Sequence, residues 1–377
     1  MDYAALKREM ERYPDTMTNM ERMAAYAKGE EVDRIPFTLA GGDSLVELYG
    51  YTIGQYRESL DIQFEIAEKM KKEFAGSGMV ADTNLSLRGV GEALGSTAVY
   101  PENSFDYLTD YVLKDYAMLD ELVFDPETNP YLQKRMAQAR AVRERMGGKC
   151  MAVTGGAGPM TTAIAIRKPD LFLRDMIRDK KNAHRLLDFG VQCTLKWIAY
   201  NQKEFGQVAV GLADPGTAAN LISEKMFREF SKPHMADLLA GIKEITGKVP
   251  SIHICGRTKP FWNDLADLGF PSFSVDNCED LAELKEAVGD RMGISGNVPP
   301  TTVLRDGTID DVIASVQECL LKGSDNPRGF TLAVGCQVPL GTPRENLEAY
   351  IYAARRYGRG ARKGQLCRGL YEEGLVK

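Results

Sequence analysis

Val249-Pro-Ser-Ile-His253-Ile-Cys255-Gly256 is an apolar run that ends in two metal-binding side chains and a glycine. If the run is a strand, His253 and Cys255 are two residues apart and point to the same face. A second run, Phe330-Thr-Leu-Ala-Val-Gly335, ends the same way, in Cys336. One imidazole and two thiolates from two strand ends make a three-ligand set that suits zinc, at roughly 2.0–2.3 Å and with the fourth position open. An open position suits catalysis better than a structural role. The long gap between Cys255 and Cys336 excludes the compact loop of a zinc finger, although His-x-Cys also describes two ordinary packing residues. Where the three residues fall in the fold decides between these readings.

Outward from these two runs, strand-length apolar segments recur at 35–40, 78–82, 149–154, 207–212, 249–254, 272–275, 291–295 and 329–335. Helical segments separate them. Residues 183–205 carry Leu186, Leu187, Leu195, Ile198 and Phe205 at helical spacing and stop at Gly206. Residues 233–246 start at Pro233 and stop at Gly247, and helices over 259–268 and 279–288 stop at Gly269 and Gly289. Thr308, with Asp311 three residues on, caps a helix over 309–322. Thr342-Pro343-Arg344-Glu345 reads as a capping box with proline at the first helical position.

Alternating strands and helices imply parallel pairing with right-handed crossovers. Eight such units predict a (β/α)8 TIM barrel, read as one domain over 1–377. N-terminal helices in 1–34, with Met17, Met20, Met23, Ala24 and Ala27 on one face, and an insertion at 83–148 after the second strand account for the extra length. No Gly-x-Gly-x-x-Gly turn follows an early strand, which argues against an open dinucleotide-binding sheet. Gly155-Gly-Ala-Gly158-Pro159 reads as a tight strand-to-helix turn and a candidate ligand loop.

Active-site residues of such barrels lie at the C-terminal ends of strands. His253 and Cys255 end the fifth strand and Cys336 the eighth. Asp214 ends the fourth, Asp276 ends the sixth and Asn297 follows the seventh, which makes these three the candidate catalytic residues. Asp214 before Pro215 equally fits a turn, and Asp276 and Asn277 equally fit the cap of the helix at 279. Asp276, Glu279 or water would fill the fourth zinc position before substrate arrives. Cys278 reads as either ligand or filler, and Cys150, Cys193, Cys319 and Cys367 as core or surface thiols. His184 and His234 lie near helix starts, where solvent-exposed histidines are ordinary.

Hydrophobic residues make up 44% and charged residues 27% of the 377, as in globular proteins generally. A net charge of −6 without a dominant basic stretch argues against nucleic acid as a partner. No apolar run approaches the ~18 residues of a membrane span. Seven scattered cysteines and no signal peptide indicate a reduced, cytoplasmic protein.

Glu21-Arg22, Gly29-Glu30 and Asp33-Arg34-Ile35-Pro36 resemble the opening of the uroporphyrinogen decarboxylase superfamily, whose members are (β/α)8 barrels. His253-x-Cys255 with Cys336 is similar to the zinc motif of its methyltransferase branch, and the stretch from Ala213-Asp214-Pro215 through Leu221-Ile-Ser223 also resembles that branch. That branch comprises the methylcobamide:coenzyme M methyltransferases and corrinoid-dependent O-demethylase components. The resemblance implies a zinc-dependent methyltransferase. Methyl would move between a corrinoid protein and a zinc-activated small molecule, either a methyl ether or a thiol such as coenzyme M.

Two departures sharpen this expectation. Porphyrinogen decarboxylases carry Arg-Gln-Ala-Gly-Arg after the first strand, whereas Thr38-Leu-Ala-Gly-Gly-Asp43-Ser44 has no arginine to hold substrate carboxylates. A base-off corrinoid site needs Asp-x-His-x-x-Gly, and Ser251-Ile-His253-Ile-Cys255-Gly256 lacks the aspartate. The corrinoid is therefore expected on a partner protein. No basic cluster for a sulfonate stands out, which favours a methoxylated small molecule. A metal-free decarboxylase on the same barrel and a non-catalytic binding protein are the alternatives.

Overall fold

A computed structural model describes residues 1–39, 41–76 and 78–377. They fall into two compact units, Met79–Pro271 and Met1–Gly78 with Ser272–Lys377.

In the first of these, the strands Ala81–Asp82, Ala152–Ala157, Val208–Ala213 and Ile252–Ile254 pair in parallel in that order. Thr154 lies opposite Val210, and Ala213 opposite His253. Gly155 has φ +128°, and a side chain there would sit 1.9 Å from the Gly211 carbonyl oxygen, so this register tolerates only glycine. The glycine-rich stretch expected as a ligand loop is thus mostly strand. The turn is confined to Gly158, and Pro159 opens the helix Pro159–Ile166, where its missing N–H costs nothing. The 26-residue helix Lys180–Phe205 buries Leu186, Leu187, Val191, Trp197 and Ile198 along one stripe and ends at Gly206. The insertion contains the helix Gly89–Leu94, the antiparallel pair Thr97–Val99 and Tyr107–Asp110, and the helix Pro130–Arg145.

In the second unit, Ser272–Val275, Gly293–Val298 and Phe330–Val334 pair in parallel. The first expected strand, 35–40, is reduced to a bridge between Phe37 and Leu332. Around it, Thr38 N–H donates to the Leu332 carbonyl and Leu332 N–H to the Pro36 carbonyl, both at 3.0 Å. Pro36 has no N–H with which to extend the ladder. Ala40, the last residue of that expected strand, lies outside the described residues. With this position counted, parallel strands and helices alternate along the chain in the (β/α)8 pattern.

Two expected caps differ from the structure. Thr308 and Asp311 form the capping box that starts Ile309–Gly323. Thr342 does not cap Arg344–Tyr357, because its hydroxyl donates to the Pro339 carbonyl at 2.7 Å instead. The helix Leu281–Val288 is capped by Asp280 rather than by Asp276 or Asn277.

The opening motif has a physical basis. The helix Asn19–Ala27 buries Arg22 and Tyr26 and leaves Met20 84% and Met23 52% exposed, so its methionine face looks outward. Arg22 donates to both carboxylate oxygens of Asp33, at 2.6 and 2.7 Å. Arg34, also buried, donates to Asp15, which also receives Arg355 at 3.0 Å. The Tyr26 hydroxyl accepts a bond from Phe330 N–H at 3.0 Å, which ties this helix to the strand that leads to Cys336.

Candidate metal centre

Alternation along Ile252–Ile254 buries both isoleucines and turns His253 to the other face, where it is half-buried. Its Nε2 lies 3.0 Å from the Cys255 Sγ. Gly256, at φ +81°, then turns the chain away. Arg257 N–H donates to Asn220 Oδ1, and Ala219 N–H to the Arg257 carbonyl, both at 2.7 Å. This clamps the loop carrying Cys255 to the loop that follows Val208–Ala213. The His253 carbonyl accepts from Asp214 N–H at 2.9 Å, so the ligand strand is anchored on its neighbour.

Cys336 follows Phe330–Val334. Gly335 N–H donates to the Val298 carbonyl at 2.9 Å, and a side chain on Gly335 would meet Asn277 N at 2.6 Å. Backbone contact therefore fixes the approach to Cys336. Cys255 and Cys336 thus each follow the C-terminal end of a parallel strand. Bonds of roughly 2.0–2.3 Å at tetrahedral angles span about 3.5 Å between such ligand atoms, so the 3.0 Å between His253 Nε2 and Cys255 Sγ fits two zinc positions with modest adjustment. Four of the other five cysteines suit the role poorly. Burial pushes the Cys193, Cys319 and Cys367 thiols up to about 12. Partial burial and the neighbouring Asp276 carboxylate push Cys278 up to about 11.

Asp214 is wholly buried. Its carboxylate accepts from Thr161 N–H at 2.8 Å and from the Thr217 hydroxyl at 2.9 Å. Thr217 in turn bonds Ser231, which closes the π-helical turn Phe227–Ser231. Burial raises the Asp214 pKa against these bonds. The side chain thus ties three segments together beneath the ligand strand. Asp214→Ala is expected to cost about 2–4 kcal/mol in a denaturant melt, because Thr161 N–H and Thr217 lose a buried acceptor. A variant that melts like the wild type but loses turnover would instead mark Asp214 as catalytic.

Asn297 is 8% exposed and donates through Nδ2 to the carbonyls of Asp276 and Glu279, at 3.1 and 2.7 Å. Asp276 is half-buried and accepts from Cys278 N–H at 2.9 Å. Asn297 thus holds the 276–279 loop in shape. The histidines at helix starts are not the solvated pair expected. His234 is buried, its Nδ1 is 2.6 Å from the Phe230 carbonyl, and its ring stacks on His184 at 5.2 Å. Among the described residues no helix is long and apolar enough to cross a membrane.

Parallel strands alternating with helices, with an imidazole and two thiols at or just past strand C-termini, describe an enzyme of the (β/α)8 class. Residues 18–357 match the uroporphyrinogen decarboxylase (URO-D) family, and the chain belongs to that family. A methylcobamide:CoM methyltransferase, MtaA, of Methanosarcina barkeri is 26% identical over 352 residues, 89% of this chain and 97% of the relative. A methylated-thiol–coenzyme M methyltransferase of Methanosarcina mazei is 30% identical over 217 residues, 57% of this chain and 55% of the relative. The solved structure of a methyltransferase from Methanosarcina mazei superposes with a TM-score of 0.73 at 25% identity, covering 90% of this chain and 98% of that one.

Proposed function

We propose that His253, Cys255 and Cys336 hold one zinc ion. In this reading the chain is a corrinoid-dependent methyltransferase, moving methyl between a corrinoid carried by a partner protein and a zinc-activated methyl ether or thiol such as coenzyme M. The observation that carries the reading is the 3.0 Å approach of His253 Nε2 to Cys255 Sγ just past a strand end, with Cys336 following the end of another strand. It is supported by the full-length similarity to methylcobamide:CoM methyltransferases.

Zinc in this set supplies Lewis acidity, lowering the pKa of a bound thiol or making an ether oxygen a better leaving group. The chain's own residues give the site its shape. Asp214 anchors the backbone of His253, Asn220 clamps the loop that carries Cys255, and Asn297 shapes the 276–279 loop. Asp276 and Glu279 are the carboxylates proposed to fill the fourth position until substrate displaces them. With a thiol acceptor, the thiol proton leaves, the sulfur forms the new bond to methyl, and the cobalt–carbon bond breaks with its electron pair left on cobalt(I). With an ether, the methyl–oxygen bond breaks and methyl passes to cobalt(I).

The test mixes zinc-replete protein with a corrinoid protein, reduced to cobalt(I) for the ether arm and pre-methylated for the thiol arm, and follows the cobalt spectrum. Methyl-cobalt(III) is expected to form when a methyl ether is added, or to disappear when a thiol is added. If neither happens across a range of donors and acceptors, and a carboxylate substrate is decarboxylated instead, the methyltransferase reading is wrong.

A further inference from the structure

We infer that a cavity at the N-terminal ends of three parallel strands binds a small monocarboxylate with an apolar body. The strands are Ala152–Ala157, Val208–Ala213 and Ile252–Ile254, so the cavity lies at the end of the array away from Cys255. It measures about 550 Å³, a size usual for small-ligand sites, and its whole lining comes from the unit Met79–Pro271. The inference does not depend on the methyltransferase reading.

Strand pairing explains the space. Val208–Ala213 pairs with Ala152–Ala157 along its whole length, from Val208 opposite Ala152 to Ala213 opposite Ala157. Its pairing with Ile252–Ile254 starts only at Leu212. Among the described residues, Val208–Gly211 thus have a strand neighbour on one side, and the cavity lies between them and the chain at 248–251. Pro250 has no N–H with which to extend the ladder in that direction. Parallel strands of a barrel are ordinarily covered on both faces, yet Ala209 is exposed on the middle strand of this array.

The walls decide what fits. Met151, Phe205, Val208, Val249 and Pro250 supply apolar surface. The charged residues are Arg143 and Lys248. No aspartate or glutamate lines the cavity, although the chain has 53 of them and a net charge of −6. Arg143 is held in place, because its Nη1 donates to the Phe205 carbonyl at 3.2 Å and its guanidinium lies over the Phe205 ring at 5.3 Å. The adjoining acid, Glu204, is taken by Arg140, at 2.7 and 2.9 Å. Lys248 follows Gly247, which ends the helix Lys232–Thr246, and Lys248 N–H donates to the Thr246 hydroxyl at 3.3 Å. Among the described residues neither Arg143 nor Lys248 forms an ion pair. One exposed lysine and one arginine already bonded to a carbonyl balance a single negative charge better than a double one. A carboxylate takes charge-assisted bonds from such donors, and an apolar tail removes the valine and phenylalanine walls from water.

Binding of octanoate, 1-octanol and octylammonium to the full chain is measured calorimetrically. The three share one tail and differ in charge. Octanoate should bind about tenfold more tightly than 1-octanol, the low end for a charge-assisted bond because Lys248 is exposed, and octylammonium should bind most weakly. The double variant Arg143→Gln with Lys248→Gln should bring octanoate to the affinity of 1-octanol without changing the denaturant melt. Ala209→Leu puts bulk into the cavity and should lose both ligands. Cys150 reports the location: its thiol is on the cavity wall, so saturating octanoate should slow its alkylation several-fold and leave that of exposed Cys278 unchanged. Octanoate that binds no more tightly than 1-octanol, a preference that survives in the double variant, or binding that leaves Cys150 alkylated at its unliganded rate overturns the inference.

Discussion

The Cys336→Ser protein is expected to lose most of its zinc after dialysis, whereas wild-type protein retains close to one equivalent. Serine keeps the size of the side chain but replaces a thiolate with a hydroxyl, which does not ionise near neutral pH and is a poor zinc ligand. Removal of a group that merely orients a metal ligand costs about 10- to 100-fold in affinity. Loss of one of three ligands should exceed that. Turnover in the cobalt assay should fall at least in proportion, since no zinc means no activated substrate. Zinc affinity should also weaken as pH is lowered, because protons compete for the same ligand atoms. Cys278→Ser serves as the control: its thiol, pushed up to about 11, should leave zinc content unchanged. Full zinc and full activity in Cys336→Ser would refute the triad, and zinc loss in Cys278→Ser would point to a different cysteine.

The chain order of strands and helices was legible because punctuation and period agreed: Gly206 and Gly247 end their helices where the apolar stripes end. The approach of His253 to Cys255 was legible because strand period alone puts them on one face, while Cys336 as a third ligand is proposed from its equivalent strand end. Other features had no local signal. The first strand shrank to one bridge because Pro36 cannot donate, a loss that a hydropathy run hides. The box at Thr342 failed because a nearer acceptor, the Pro339 carbonyl, took its hydroxyl. The methionine face of Asn19–Ala27 turned outward because burying Arg22 against Asp33 outweighed it.

Asp15→Asn is expected to destabilise the protein by about 2 kcal/mol at neutral pH, with the deficit vanishing in acid. Burial by itself would push the Asp15 carboxyl up. The bonds from Arg34 and Arg355 outweigh that and lower it from its ordinary 3.8 to about 2. A carboxylate whose folded-state pKa is depressed contributes stability above its unfolded pKa and loses it as pH falls through the folded value. The contribution should therefore be complete above about pH 5, shrink from there toward pH 2, and be gone below both pKa values. Asparagine keeps the shape and removes the charge, so denaturant melts of both proteins across this range isolate the ion pair. Asp33 and the other acids titrate alike in the two proteins and cancel in the difference. Asp15→Ala should cost more, about 3–5 kcal/mol, because Arg34 is only 2% exposed and would be left facing an empty site. A deficit that stays constant from neutral pH down to pH 2 would show that Asp15 acts through packing and hydrogen-bond shape, and that the charge it presents to Arg34 and Arg355 contributes nothing to holding the opening motif in place.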